Sequence, residues 1–441
     1  MNYPGSSPSV TSVGGTAVPL DKFNDTYWDT NNGSNGGTIR QYIPEQGWND
    51  DDELAQFCQL NPTNPFCVNN GIVDAQSAQA AIGISSTGGG PSNCSTVNAS
   101  SVCTAGFARP SWQTVTVSGQ SGVRLTPDVS LFASPNFPGY ILCTQLSELG
   151  LAGAGSSCAN GIANSVDNDV SIIGGTSASA PVFAGIVTLL NQYLAGPFSP
   201  GLGNINAKLY SLAATPSNGA FNPVNTDNNI AYCTPGTPSA QPVALRCPAA
   251  GFFGYQASTA DATTGYNLVA GLGSVNASAL ATAWAASRSS SSITLTPSTT
   301  QTFKGNSVTL TASVTPSSAS GSVSFNNGST LLGTVALDVN GDAQLATSTL
   351  PLGDNSITAS YNGSGSIANS TSSVSTVAVT QPFTLSPTAA TYPVTQGMST
   401  DATVDLTVDA GFTGTITFTC SERFWQSLSP APRGSGGHVR F

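Results

Sequence analysis

The sequence predicts a mixed α/β domain followed by all-β sandwich domains. Residues 1–288 contain short apolar segments and two apolar helical runs, which long loops rich in Asn, Gly, Ser and Thr separate. A polar, serine-rich segment at 287–292 then interrupts this pattern, as a linker would. Beyond it, short alternating segments recur between Gly, Asn and Asp turns, which is typical of a β-sandwich.

Composition restricts the class of protein. Only 7% of the 441 residues are charged, against about 25% in an average domain, so hydroxyls and amides must cover the surface. The net charge of −11 and the pI near 4.2 leave the chain close to neutral in acid. Few ionisable groups and this acidic balance favour an acidic extracellular medium; a secreted bacterial protein of low charge is the alternative. The 11 Lys and Arg residues form no cluster, so we expect no nucleic-acid partner.

Eight of the nine cysteines fall into close pairs, and the ninth, Cys420, is left over. With no CxxC and a single His, Cys/His metal sites are excluded. We therefore predict four disulfides and an extracellular location, although the N-terminus has no signal peptide, which suggests a chain incomplete at its start. No apolar run of about 18 residues predicts a membrane span. The predicted pairs are Cys58–Cys67, Cys94–Cys103, Cys143–Cys158 and Cys233–Cys247.

Within residues 1–288, four segments predict regular structure. Val10–Val13 and Ile172–Ile173 have the character of short buried strands. Residues 181–194 and the Ala-rich segment 276–287 predict helices. The first of these helices is apolar on all sides, which predicts that it is buried.

The segment VTLTASV (308–314) places four apolar side chains on one face, and SVSF, LLGTV and SITASY follow it at short intervals. This spacing predicts an Ig-like β-sandwich over 289–380. FTLSP (383–387) echoes ITLTP (293–297), so an incomplete second repeat is expected at 381–420. Residues 421–441 differ in composition from the rest of the chain and predict an unstructured tail. Two explanations of the change in composition are a reading-frame change or truncation, and a tail that is naturally disordered.

The stretch GGTSASAP (174–181) is the principal candidate for chemistry. Gly174 and Gly175 permit a sharp turn, and a helix start directs N–H groups and a positive dipole towards Ser177. Pro181 is expected to begin the helix. A serine hydroxyl needs a base to become a nucleophile, yet the only His is His438. The spacing alone is equally compatible with an N-cap on an ordinary core helix.

This stretch resembles the Gly-Thr-Ser-x-x-x-Pro nucleophile motif of subtilisin-like enzymes, and its details resemble the sedolisins, or serine-carboxyl peptidases. Other segments resemble that family in the same order, between residues 4 and 276. They are PGSSPSVTSVGGT (4–16), YIPEQGWND (42–50), TGGGPSN (87–93), RPSWQ (109–113), RLTPDVSLFASPNFPGY (124–140) and GYNLVAGLGSVN (265–276).

The resemblance implies a subtilisin-like parallel-sheet domain and an endopeptidase that hydrolyses proteins in acid. In that family Ser177 would be the nucleophile, a Glu would replace His as base, an Asp would orient the Glu, and a second Asp would bind the oxyanion. A carboxylate base stays ionised at lower pH than imidazole. The family also implies that Gly88, Gly89 and Gly90 line the substrate cleft, where bare backbone pairs with an extended peptide; a plain flexible turn is the alternative.

The chain departs from the family at two sites. None of its four Glu residues has an Asp four positions later, so the base pair is expected to be missing from these residues and this chain alone to be inactive. Pro223 and Asn267 stand where the resemblance implies two calcium-binding aspartates. Since calcium prefers charged oxygen ligands, a weak or absent calcium site is expected.

Three further features have plain interpretations. The acidic run from Asp50 to Glu53 is expected to be a solvated loop, with a metal site as the alternative. Glu45 is not expected to be the base, and Asp128 is expected to be structural. The Ig-like repeats are expected to be spacers, with contact to a cell surface or polymer as the alternative. The preferred function is therefore an exported serine endopeptidase acting on proteins or peptides. The alternative is an inactive surface-binding or adhesion protein on a decayed peptidase scaffold.

Overall fold

The structure, a computed structural model, divides into two units: Met1–Leu194 with Gly201–Arg288, and Ala195–Pro200 with Ser289–Phe441. The residues that it describes are 4–31, 37–99, 103–142, 171–195, 201–236, 246–258, 260–389, 398, 401–410, 412–413, 415–417 and 437–440.

Among its described residues, the first unit contains thirteen short strands, six α-helices and two 3-10 helices, Leu20–Lys22 and Pro216–Asn218. The strands are β1 Val13–Ala17, β2 Gln46–Gly47, β3 Gly90–Pro91, β4 Thr96–Val97, β5 Cys103–Ala105, β6 Leu125–Thr126, β7 Val129–Phe132, β8 Tyr140–Leu142, β9 Ser171–Ile173, β10 Phe221–Asn222, β11 Ala231–Tyr232, β12 Phe252–Phe253 and β13 Ser274–Val275. The helices are α1 Asp50–Leu60, α2 Pro65–Asn70, α3 Ala75–Ile82, α4 Thr176–Ala195, α5 Asn206–Ala213 and α6 Ala277–Ala286.

The main sheet of this unit has five strands in the order β10-β13-β7-β1-β2. β1 runs parallel to β7 with Val13 opposite Val129, and β13 is parallel to β7 at Ser274. The outer strands β10 and β2 are antiparallel to their neighbours. The described sheet is therefore mixed: its three central strands are parallel, and its two outer strands are antiparallel to them.

The core of the first unit lies where α5 and α6 pack with the sheet strands. Leu209, Leu272 and Leu280 are fully buried there, and Trp284 is nearly so. The Asn276 side chain accepts a hydrogen bond from the backbone N–H of Ala279, as an N-cap does. Because Leu280 and Trp284 are four residues apart, they share one face of α6. The predicted helix at 276–287 is confirmed.

Helix α4 begins five residues earlier than the sequence predicts, at Thr176, so Pro181 lies inside it and not at its start. Proline has no N–H, so it cannot donate to the carbonyl oxygen four residues earlier. The prediction that α4 is buried on all sides is wrong, because one face of the helix is exposed. Phe183 and Leu190 are buried, but Leu189 is 66% exposed and Tyr193 61% exposed.

The two predicted strands of this unit are also shifted or more exposed than expected. β1 begins at Val13, where the predicted segment Val10–Val13 ends. Ile172 and Ile173 do lie in a strand, but β9 is paired with β8 alone and Ile172 is 56% exposed. An apolar run this short does not distinguish a buried strand from an exposed hairpin.

Three of the four predicted disulfides are confirmed: Cys58–Cys67, Cys94–Cys103 and Cys233–Cys247. The first joins α1 to α2, and both of its sulfur-bearing residues are buried in a small cluster with Ala55, Ile72 and Ala78. Cys143, Cys158 and Cys420 lie outside the described residues.

The second unit is built from β-strands. They are β14 Ser292–Pro297, β15 Gln301–Phe303, β16 Val308–Thr315, β17 Ser322–Asn327, β18 Thr330–Ala336, β19 Asp342–Thr347, β20 Gly353–Tyr361, β21 Ser370–Thr371, β22 Ser375–Thr380, β23 Phe383–Pro387, β24 Thr403–Val408 and β25 Gly437–Arg440.

Two of its sheets form the sandwich, in the orders β14-β16-β19 and β15-β22-β20-β17-β18, with β21 beside β20. The alternation predicted in β16 is confirmed, because Val308, Leu310, Ala312 and Val314 are all buried. They meet Phe325 and other buried side chains of the second sheet in one core. These strands are therefore a β-sandwich, as the sequence predicts.

A third sheet, β23-β24-β25, follows the sandwich. β23 is the FTLSP segment, and β24 also lies within the second repeat expected at 381–420. The sequence predicts no regular structure after residue 420, yet Gly437–Arg440 pairs with β24. The remaining residues of that tail lie outside the described part of the chain. In the described residues, no helix has the length and apolarity that a membrane crossing requires.

Candidate functional site

The turn that precedes Ser177 is fixed by two glycines. Gly175 has a φ of +87°, a left-handed conformation that glycine adopts without strain. Its N–H donates to the carbonyl oxygen of Ala133 at 2.5 Å, and its own carbonyl accepts from Ala178 N–H at 2.9 Å. A Cβ on Gly174 would collide with the backbone nitrogen of Pro135. Larger residues would therefore displace the start of α4.

Ser177 is the second residue of α4, and it is exposed. The first N–H groups of a helix have no intrahelical acceptor, and the helix dipole places partial positive charge there. An anion next to the Ser177 hydroxyl would therefore be stabilised. This is the environment that a negatively charged tetrahedral intermediate needs.

The neighbouring Ser179 has the opposite orientation. It is fully buried, and its hydroxyl donates to the carbonyl oxygen of Gly14 in β1 at 3.2 Å. Beneath the same turn, Trp48 is packed with Ala17 and Ala133. The turn thus rests on a rigid base of buried side chains while Ser177 faces outward.

No described hydrogen bond joins the Ser177 hydroxyl to a carboxylate. Glu45, which the sequence analysis does not expect to be the base, accepts instead from the hydroxyls of Thr16 at 2.5 Å, Tyr42 at 3.1 Å and Ser274. It connects β1 to β13 in this way. Asp128 lies in a fully buried ion pair with Arg124.

The three glycines expected in a substrate cleft differ in their surroundings. Gly88 is exposed, and a Cβ added to it would meet nothing within 4 Å. Gly89 packs against the backbone carbonyl of Leu268, and Gly90 against the ring of Tyr255. Gly90 also pairs with Thr126 in the β3–β6 ladder. Gly88 is therefore the one of the three with open space in front of it.

The two residues at the implied calcium position are Asn267, whose side chain is hydrogen-bonded to the backbone, and Pro223. The Asn267 side-chain oxygen accepts from the N–H groups of Val269 at 3.0 Å and Ala270 at 2.9 Å, and its Nδ2 donates to the carbonyl oxygen of Val224 at 2.8 Å. Pro223 supplies no side-chain oxygen. Within the described ranges, no group of three or more His, Cys, Asp or Glu residues is arranged to hold a metal ion.

The acidic run beginning at Asp50 is not a solvated loop, so that prediction is wrong. These residues form the first turn of α1, and Asp50, Asp51 and Glu53 have no exposed surface. The Asn49 side chain caps this helix by accepting from Asp51 N–H at 3.2 Å. Acidic residues are stabilised at a helix N-terminus by the helix dipole. The burial of these side chains, however, depends on contacts with distant residues, which a run of four acids in the sequence does not predict.

Asp50 connects this helix to the support of the Ser177 turn. Its carboxyl oxygens accept from the hydroxyls of Ser134 at 2.7 Å and Ser85 at 3.0 Å and from Asn136 Nδ2 at 2.6 Å. Ala133, next to Ser134, accepts the N–H of Gly175. Burial raises the pKa of Asp50, although these three donors act in the opposite direction. In the sequence, the only feature that points to Asp50 is its position directly after the Trp-Asn of YIPEQGWND.

Comparisons with known proteins concern the second unit. Residues 293–380 match the family model of the bacterial Ig-like domain (group 3). A solved structure of fibronectin(III)-like modules of Clostridium thermocellum CbhA is 22% identical, with a TM-score of 0.17, and covers 20% of this chain and 93% of that chain. No curated protein matches the chain. The chain therefore contains an Ig-like domain, and its disulfides and this domain are compatible with an extracellular protein.

Proposed function

We propose that the first unit is the Ser177-bearing part of a sedolisin-type serine endopeptidase with a subtilisin-like catalytic fold. The observation that carries the proposal is the exposed Ser177 hydroxyl at a helix N-terminus, behind a left-handed glycine and above a buried Trp48. Its substrates would be proteins or peptides in an acidic extracellular medium. The open backbone at Gly88 would receive the substrate chain, and the Ig-like domain would be a spacer.

In this mechanism Ser177 Oγ attacks the scissile carbonyl carbon and loses its proton to a carboxylate base. The tetrahedral oxyanion is stabilised by N–H groups at the start of α4. When it collapses, the peptide C–N bond breaks and the leaving amine takes the proton from the base, which leaves an acyl-enzyme ester on Ser177. Water then attacks this ester, giving its proton to the base, and releases the carboxylic acid and the free Ser177 hydroxyl. The base is a glutamate–aspartate pair that these 441 residues do not contain. We therefore expect the isolated chain to have no measurable peptidase activity.

The test uses the protein isolated from its natural source and recombinant copies of the same length as that protein, as wild type and with Ser177→Ala, because the 441-residue chain alone is expected to be inactive with or without Ser177. We expect the wild type to digest a denatured protein substrate at about pH 4, where carboxyl groups are partly ionised, whereas imidazole is protonated and cannot act as a base. Ser177→Ala should abolish this activity. Ser179→Ala is the matched control, because Ser179 is buried and bonded to Gly14, and it should retain activity. Equal activity of the Ser177→Ala and wild-type proteins would exclude the proposal.

The second candidate is a binding or adhesion protein on a peptidase scaffold that has lost catalysis. The bonds of Asn267 favour it, because its side-chain oxygen already accepts two backbone N–H groups, from Val269 and Ala270, and is not turned towards a cation. This candidate predicts that calcium leaves the thermal midpoint unchanged. It also predicts retention of the chain on a polysaccharide or cell-wall matrix, and loss of that retention when the Ig-like domain is removed.

A further inference from the structure

Three carboxyl groups of the first unit are joined by two side-chain amides. Gln46 Nε2 donates to Glu53 Oε1 at 2.7 Å and to Asp227 Oδ2 at 2.9 Å. Asn228 Nδ2 donates to Asp227 Oδ1 at 2.9 Å and to Asp52 Oδ2. We call Asp52, Glu53 and Asp227 the carboxyl cluster. Two amide nitrogens thus hold carboxyl groups from α1 and from a loop more than 170 residues later.

The orientation of Asn228 is fixed by its surroundings. Its Oδ1 accepts from Asn49 Nδ2 at 2.7 Å and from Ile230 N–H at 2.8 Å, so its Nδ2 must face the cluster. Asp227 has a φ of +67°, which is uncommon for a residue with a side chain, and its Oδ1 also accepts from Asn228 N–H at 2.8 Å. The cluster is therefore a built arrangement and not a chance contact of mobile surface groups.

Among the residues that the structure describes, no positively charged group acts on Glu53 or Asp227. Glu53 is fully buried, and its second oxygen, Oε2, has no hydrogen-bond partner. The charged groups that face Glu53 are Asp50 and Asp52 on its own helix and Asp227 on the facing loop, all of them acidic. Tyr232 of β11, a neutral phenol, lies on the side of Asp52.

Asp51, between Asp50 and Asp52, adds to this excess of acid. It is also fully buried, and both of its carboxyl oxygens are unpartnered. Two solutions exist for buried carboxylates without a cation partner: they bind a metal ion or they keep their protons. The described residues offer no arrangement of three ligands around a metal position, which favours protons.

Desolvation and repulsion by neighbouring carboxylates act in the same direction on Glu53 and Asp227. Burial, followed by the neighbouring carboxylates, raises the pKa of Glu53 to about 9 and that of Asp227 to about 8. Burial also raises the pKa of Asp51 to about 7. Because the groups interact, their protons leave in steps that belong to the set.

We propose that Glu53 and Asp227 of the carboxyl cluster keep their protons in the folded protein and thereby make the first unit stable in acid and unstable as the pH approaches and passes neutrality. The pKa values of these carboxyl groups are higher in the folded protein than in the unfolded chain. Their contribution to the free energy of unfolding is therefore fully present below about pH 4, and it is lost as the pH rises through the folded-state pKa values. Each group that retains a proton changes the unfolding equilibrium constant by up to about tenfold per pH unit. The inference does not depend on the proposed peptidase activity.

The test is urea unfolding of the 441-residue chain between about pH 4 and about pH 8, a range that spans the unfolded and folded values. Tryptophan fluorescence reports on the first unit, which contains four of the five tryptophans: Trp28, Trp48, Trp112 and Trp284. We expect the urea midpoint to fall steadily across this range. Glu53→Gln keeps the acceptor for Gln46 without the titrating group, so it should reduce the slope by about one proton.

Asp25→Asn is the matched control, since Asp25 is an exposed acid of the same unit and its removal should leave the slope unchanged. A wild-type midpoint that is flat or rises with pH would overturn the proposal, as would a Glu53→Gln slope equal to that of the wild type. If calcium chloride at neutral pH restores the acid midpoint, the cluster takes a cation and the proposal is wrong.

A second measurement covers the case in which Glu53→Gln does not fold. The infrared spectrum of the folded wild type at neutral pH should contain the C=O stretch of protonated carboxylic acids, and this band should disappear on unfolding. Its absence from the folded protein would also overturn the proposal.

Discussion

The buried ion pair between Arg124 and Asp128 should dominate the stability of the first unit. Arg124 Nη2 lies 2.6 Å from Asp128 Oδ2, and neither side chain has any exposed surface. Asp128 Oδ2 also accepts from Ser12 N–H at 2.8 Å, and Oδ1 accepts from the Tyr210 hydroxyl at 2.9 Å. One carboxylate thus connects the start of β1, the segment before β7 and helix α5.

Asp128→Asn removes the negative charge and leaves the Arg124 guanidinium buried without a counter-charge. Breaking a buried pair in this way costs about 3–5 kcal/mol, a large part of a total stability of roughly 5–15 kcal/mol. Tyr210→Phe removes only one hydrogen bond to Asp128 and one from Gln113, and it should cost about 1–3 kcal/mol.

Urea unfolding at one pH, followed by tryptophan fluorescence, measures both losses. The matched control is the double variant Arg124→Met with Asp128→Leu, which removes both charges and should be more stable than Asp128→Asn alone. A loss below about 1 kcal/mol for Asp128→Asn would refute the argument, because an unpaired buried charge costs more than that. A double variant as unstable as the single one would show that packing, and not charge, carries the effect.

Three further predictions concern the rest of the chain. Gly89→Ala should lower the thermal midpoint by several degrees because its Cβ would collide with a backbone carbonyl, whereas Gly88→Ala should leave the midpoint unchanged. Cys58→Ala with Cys67→Ala should cost about 2–3 kcal/mol in urea unfolding, the value expected for so short a loop; no loss would exclude a stabilising disulfide. Phe325→Ala, at a fully buried position of the sandwich, should cost about 3–5 kcal/mol, and an unchanged circular-dichroism melting curve would contradict this.

The sequence predicts best where a local pattern alone decides the structure. In β16 one face is buried and the other is not, so apolar and polar residues alternate from Val308 to Val314. This alternation is enough to predict the strand from the sequence. Helix α6 has its cap at Asn276 and two large apolar residues four apart. The confirmed disulfides close short loops, so proximity in the chain already brings the sulfur atoms together.

Prediction fails where distant residues decide the outcome. Four consecutive acids at Asp50–Glu53 normally mark a solvated surface. Their partners come from elsewhere in the chain: Ser134 and Asn136 bind Asp50, whereas Gln46 binds Glu53 and Asn228 binds Asp52. The apolar residues of α4 predict burial on every side, yet the described contacts cover only one face. No local pattern contains either fact, because both depend on which segments meet in three dimensions.

The exposed hydroxyl of Ser177 is the centre of this account, and covalent labelling tests it most directly. The protein isolated from its source is treated in acid with a fluorophosphonate, digested and examined by mass spectrometry. The account predicts one phosphonyl adduct on Ser177 and none on the buried Ser179. A Ser177 that remains unmodified, or equal labelling of a Ser177→Ala variant, would contradict it.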